Sequence, residues 1–162
     1  MTSTDATGTA EVTYRERLTP SLWAFVGAAV AAPMAAMVFV PFDKTIALGA
    51  GIVVAVLVVA LLIAAAPRIE VRGGRLLAGR AHIPVELLAD VEPFTGDDAR
   101  TLRGPGLERD AWHVIRGGID GVVRARVADP ADPTTVWIIS SRTPDRLAAA
   151  IRRAQRAVRA DA

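Results

Sequence analysis

The sequence predicts an α+β membrane protein: a transmembrane helical hairpin, then a small antiparallel β-barrel or sandwich closed by a C-terminal amphipathic helix. Three observations lead there. Two uncharged apolar runs, Leu22–Phe42 and Ile46–Ala66, flank a single break at Asp43-Lys44. Beyond Pro67 the chain changes to short alternating runs punctuated by Gly and Pro. From Pro144 onward, apolar residues recur at helical spacing.

Each apolar run holds 21 residues. At about 1.5 Å per residue such a helix is close to the ~30 Å hydrocarbon core of a bilayer. A signal peptide is the rival reading of the first run. It fails on length, since h-regions run about 7–15 residues, and because a second full-length run follows. Residues 1–13, rich in Thr, Ser, Ala and Gly, read as a disordered tail. Residues 14–67 read as a juxtamembrane segment plus the hairpin, with helices over 22–42 and 46–66. In Tyr14-Arg15-Glu16-Arg17-Leu18 and Trp23, arginines stand beside aromatics just ahead of an apolar span, as at a membrane interface. Arg15 and Arg17 precede the span and Arg68, Arg72, Arg75 and Arg80 follow it, while the turn offers only Lys44 beside Asp43. The positive-inside rule then puts the protein in the cell membrane, multi-pass, with both termini cytoplasmic.

Small residues lie four apart in each run: Gly27, Ala31 and Ala35 in the first, Ala47, Gly51 and Ala55 in the second. Such stripes let backbones approach closely in lipid. An intramolecular hairpin and a dimer face both fit them. Neither span carries the polar groups at depth that a transport path needs.

Residues 68–162 read as one cytoplasmic β domain. Arg68–Val71 and Arg75–Ala78 make a hairpin about Gly73-Gly74, and Ala81–Ile83 continues the sheet. Val85–Leu88 reads as a turn of helix and Asp90–Phe94 as a strand. Thr95–Arg109, polar and containing Gly104-Pro105-Gly106, reads as a loop. Ala111–Arg116 and Val122–Val127 read as a hairpin, and Val136–Ser140 as the last strand, after the Asp129–Pro133 turn. The helix over 144–159 has Thr143 to cap it and Pro144 in its first position. Its apolar face is Leu147, Ile151, Ala154 and Val158, and Arg152, Arg156 and Arg159 form a basic ridge opposite.

With 162 residues, about 45 of them in the hairpin, one small soluble core remains. The 52% hydrophobic content belongs mainly to the hairpin. The absence of cysteine excludes disulfides, thiolate metal sites and cysteine nucleophiles. Net charge is +2, and Lys44 is the only lysine. The Ala/Arg/Val/Gly bias is that of a high-GC genome, so arginine in place of lysine reads as codon drift. From Pro67 on, 16 arginines face 13 carboxylates, an excess too small for a nucleic-acid footprint.

A run of short strands ending in one amphipathic helix, behind a helical hairpin, resembles the membrane-anchored bacterial pleckstrin-homology-like domains. Ile69-Glu70-Val71, Gly74-Arg75-Leu76, Ile83-Pro84 and Val91 look like their opening strands. Other motifs span nearly the whole chain: Tyr14-x-Glu16-Arg17-Leu18 with Trp23, Arg103-Gly104-Pro105-Gly106 before Ala111-Trp112, and Ile115-Arg116-Gly117-x-Ile119-Asp120-Gly121-Val122-Val123. Asp129-Pro130-x-Asp132-Pro133-Thr134 and Trp137-x-x-Ser140-Ser141-Arg142 complete the set. Together they resemble an uncharacterised family of actinobacterial membrane proteins, the domain-of-unknown-function 3093 family. The resemblance implies location and architecture and supplies no activity.

No catalytic, cofactor or metal motif stands out. His82 and His113 lack ligand spacing, and the glycine pairs lack the following helix that a phosphate loop requires. Arg103, Arg116, Asp120 and Arg142 are the candidate interaction residues, as polar groups in loops and at strand ends. Arg152, Arg156 and Arg159 are candidates for anionic lipid headgroups, each worth about 1 kcal/mol beside an anionic surface. The function these features predict is a non-catalytic interaction or scaffold module at the cytoplasmic membrane face. Its partners would be the bilayer, anionic headgroups, or a membrane or envelope protein. The alternatives are a small membrane enzyme acting on an amphiphilic substrate through Arg103, Asp120 and Arg142, and an accessory subunit of a transporter.

Overall fold

A computed structural model describes residues 12–160, which divide into two compact units. The tail read as disordered lies outside the described residues except for its last two.

One unit is a helical hairpin, Thr19–Ala66, grouped with the short segment Arg116–Gly118. Its helices are α1 (Leu22–Phe39) and α2 (Lys44–Ala64), both long and apolar enough to cross a membrane. The break in the sequence turns out to be a helix cap. Asp43 is extended, and its carboxylate accepts from the backbone N–H of Thr45 at 2.6 Å and Ile46 at 3.1 Å, so α2 starts at Lys44, two residues earlier than expected. The helices touch at small residues. A Cβ on Gly51 would stand 3.1 Å from the Ala36 Cβ and 3.3 Å from the Ala32 carbonyl oxygen. Ala28 and Ala47 are buried, whereas Gly27 is exposed.

The other unit holds eight strands and two helices. β1 (Val12–Arg17), β2 (Arg68–Arg72), β3 (Arg75–Ala78) and β4 (Ala81–Pro84) form one antiparallel sheet in chain order. β5 (Leu88–Phe94), β6 (Ala111–Val114), β7 (Val122–Val127) and β8 (Val136–Ser140) form a second, in the order β5-β7-β8-β6. Of the two forms expected, barrel or sandwich, the closed barrel is not formed: the strands make two separate sheets. The second is mixed, because β6 runs parallel to β8 and is not the hairpin partner of β7.

β1 is the largest departure from the sequence reading. Tyr14–Arg17, read as a membrane anchor, pairs with β2 in the register Tyr14↔Val71 to Arg17↔Arg68, and Leu18 is fully buried. Alternation explains it: Tyr14 and Glu16 share the face of Val71 and Ile69, leaving Arg15 and Arg17 outside.

A single core joins the sheets to the C-terminal helix α4 (Pro144–Ala160). Ile69, Val71 and Leu76 from the first sheet meet Val123, Trp137 and Ile139 from the second, and Leu147 and Ile151 from α4. β8 is buried at every position because both its faces are covered. Val136 and Ile138 point away from that core, to a smaller cluster with Ala99. Ala99 belongs to α3 (Gly96–Arg103), a helix inside the segment read as a loop. Only Ala99 of its eight residues is buried, so it shows no apolar period.

Candidate functional site

Three polar clusters stand out among the described residues. The first ties β1 to the start of α4. Glu16 Oε2 accepts from the Tyr14 hydroxyl at 2.7 Å and from Ser141 Oγ at 2.6 Å, while Oε1 accepts from the Arg142 N–H at 2.8 Å. Ser141 Oγ in turn accepts from the Thr143 N–H at 3.1 Å, and the Thr143 carbonyl takes the first helical bond, from Leu147. The Arg142 guanidinium donates back to the Arg17 carbonyl at 3.2 Å. Burial pushes the Tyr14 hydroxyl above its ordinary value; Ser141 and Thr143 oppose this, and the Glu16 carboxylate adds to it. The cluster unites Tyr14-x-Glu16-Arg17 with Ser140-Ser141-Arg142, more than 120 residues apart. Chemically it is a clasp, because its acceptors are spent on donors of the chain itself.

Arg103 and Asp120 make the second cluster. Arg103 donates to the carbonyls of Ala99, at 3.1 Å, and Ile119, and its guanidinium lies 3.9 Å from the Asp120 carboxylate. Arg103 is mostly buried and Asp120 almost fully exposed, so the ion pair is weak and the carbonyl bonds dominate. They lock α3 onto the approach to β7. Beside them, a Cβ on Gly121 would stand 2.5 Å from the Ser141 carbonyl oxygen and 2.8 Å from the Pro144 ring. Only glycine lets the two strand ends meet.

The third is a groove of about 510 Å³ between β5 and α4, lined among others by Glu86, Asp90, Glu92, Arg152, Gln155 and Arg159. Asp90 has a φ of +47°, alone among the described non-glycine residues in the left-handed region. It sits where the β5–β7 register slips between Ala89 and Glu92, a bulge that turns its carboxylate to Arg126, 2.7–2.8 Å away. Gln155 donates to the carbonyls of Val85 at 2.9 Å and Leu88 at 2.7 Å, and Arg152 donates to that of Val91. These bonds satisfy backbone that the 3-10 turn Val85–Leu87 and the bulge leave out of the ladder.

The residues singled out in the sequence are thus distributed. Arg103 and Asp120 come together, Arg142 joins the clasp, and Arg116 is half-buried on the β6–β7 connection. The ridge arginines on α4, Arg152, Arg156 and Arg159, are all exposed, and Arg152 in addition donates to the Val91 carbonyl of β5. In the hairpin, Ala47 and Gly51 are buried; Ala31, Ala35 and Ala55 are half-buried, and α1 meets Gly51 through Ala32 and Ala36. Glu16, Ser141, Asp90, Gln155 and Gly121 are site residues that the structure adds. For Glu16, Ser141 and Gly121 a signal is present in the sequence, since all three belong to the quoted motifs. No group of three or more His, Cys, Asp or Glu able to hold a metal occurs among the described residues.

No curated protein and no solved structure matches the chain. One family model does, that of the proteins of unknown function DUF3093, over residues 13–151. Its span starts on β1 and ends inside α4, so it takes in both halves of the clasp. The chain belongs to the DUF3093 family.

Proposed function

We propose that this is a non-catalytic interaction module held at the cytoplasmic face of the cell membrane by its hairpin. One observation carries the reading. Many large apolar side chains of α1 and α2 stand uncovered by the described residues: Trp23 is 81% exposed, Met37 74%, Leu57 61% and Leu61 68%. Each would forfeit about 1.5–3 kcal/mol of burial in water, and lipid removes that penalty. The β unit, likened to a pleckstrin-homology-like domain by its strands and closing helix, then works as a binding surface. Its buried polar side chains support binding over chemistry, because Arg103, Glu16 and Ser141 are engaged in internal bonds that position backbone.

The test is extraction. Membranes from cells expressing the full chain, washed in alkaline carbonate, should retain it, and detergent should release it. Epitopes at both ends should resist antibody in intact cells and react after permeabilisation. Release by carbonate alone, or labelling of either end from outside, overturns the reading.

A further inference from the structure

The outer face of the first sheet collects charge in a way its folding does not require. β1, β2 and β3 alternate so that Ile69, Val71 and Leu76 are buried and Arg15, Arg17, Arg68, Arg72 and Arg75 are exposed on the other side. The strands bring one carboxylate to that face, Glu70, paired to Arg15 at 3.1 Å. Five arginines against one glutamate exceed the +2 of the entire chain, so the remainder is net acidic and the charge is segregated. Two like-charged pairs stand in direct register, Arg17↔Arg68 and Arg72↔Arg75, an arrangement that weakens a sheet. Placement carries the argument here, whichever basic residue the genome favours.

We infer that this arginine face binds the anionic phosphates of lipid headgroups. The inference rests on the hairpin lying in the membrane. Chain connection favours lipid over other polyanions: Arg17 ends β1 five residues before α1, and Arg68 opens β2 four residues after α2. Spread over three strands, these arginines also offer a headgroup layer a broader footprint than the single-helix α4 ridge does.

Because the chain has no cysteine, single probes can be placed cleanly. The full chain carries an environment-sensitive fluorophore at His82→Cys, on the exposed side of β4, or at Val53→Cys, within α2. It is reconstituted in nanodiscs of phosphatidylcholine, with or without one part in three phosphatidylglycerol. Acyl-chain spin labels should quench the Val53 probe in both. Headgroup spin labels should quench the His82 probe only with phosphatidylglycerol, and less at high salt. R72Q/R75Q should lower the docked-to-free ratio about thirty-fold, at about five-fold per arginine, and relieves rather than adds charge repulsion within the sheet. R153Q/R156Q, on α4, should leave it unchanged. Equal His82 quenching in both lipids, loss through the α4 variant alone, or full release by millimolar inorganic phosphate overturns the inference. An unquenched Val53 probe instead overturns the hairpin reading itself.

Discussion

Glu16 is the residue at which the β unit closes on itself. Its three acceptor contacts hold β1, the end of β8 and the start of α4 together, one of them with the fully buried Ser141. Glu16→Ala should therefore cost about 2–3 kcal/mol, the range for hydrogen bonds to a charged group plus a stranded donor. Tyr14→Phe should cost nearer 1 kcal/mol, since Glu16 keeps its other partners. Urea unfolding of the detergent-solubilised chain, followed by tryptophan fluorescence, separates the two. Tyr14 also imposes a pH dependence. Its folded hydroxyl holds its proton to higher pH than the unfolded value of 10.0, so its contribution is complete below that pH and falls as pH rises through the folded value. Tyr14→Phe should flatten that alkaline loss. Gly121→Ala is the steric counterpart: its methyl would meet backbone and a proline ring, and a loss of about 1–3 kcal/mol follows. Gly117→Ala, where nothing lies within 4 Å, should be close to neutral.

At the scale of elements, the bulge in β5 stores local strain and gives it a use. Asp90 in the left-handed region costs about 1–2 kcal/mol relative to glycine, and the Arg126 pair, more than half exposed, offsets little of it. Asp90→Gly should accordingly leave stability unchanged or raise it by up to about 1 kcal/mol, while Asp90→Val should lower it by about 2 kcal/mol, both read by thermal unfolding. The bulge illustrates what the sequence could and could not reveal. β2, β3, β7 and α4 were legible because burial on one face imprints a period of 2 or 3.6 on the residues, and β8 because a short apolar run marks a strand covered on both faces. α3 was not, since a helix touching the sheet through Ala99 alone leaves no stripe. The parallel β6–β8 pairing was invisible for another reason: it joins segments separated by β7, and nothing local encodes it. In the hairpin the sequence points to Gly27, Ala31 and Ala35 on α1, whereas Ala32 and Ala36 stand against Gly51 and Ala28 is buried; a run of alanines offers no local sign of which of them faces the partner helix.

For the whole molecule, the consequence of β1 is that the hairpin is an insertion within the β unit. Sequence reading put the boundary near Pro67 because the apolar runs dominate composition. The single strand upstream, six residues long, carries arginines that look like interface anchors until its partner is known. The partner lies some 50 residues downstream, and the two strands are sealed at their near ends by a bond from the Leu18 N–H to the Pro67 carbonyl of 3.0 Å. Chain ends so close need only a tight turn, and antiparallel strands are commonly joined by two to five residues. Replacing Thr19–Ala66 with a four-residue Gly/Asn turn should therefore yield a β unit that folds without detergent, elutes as a compact species and unfolds cooperatively. Its core and clasp are made by residues outside the excised segment. Shortening the loop from 48 residues to four should add stability by reducing closure entropy, about 0.6 kcal/mol per halving for a flexible loop. A two-dimensional amide spectrum with dispersed strand signals would establish the fold. Deleting residues 1–17 from that same variant should abolish it, because β2 would become an exposed edge and Val71 would lose the cover of Tyr14. If instead the excised protein were molten while the intact chain unfolds cooperatively in detergent, the hairpin would be part of what holds the sheets together, and the β unit could not be treated as a domain in its own right.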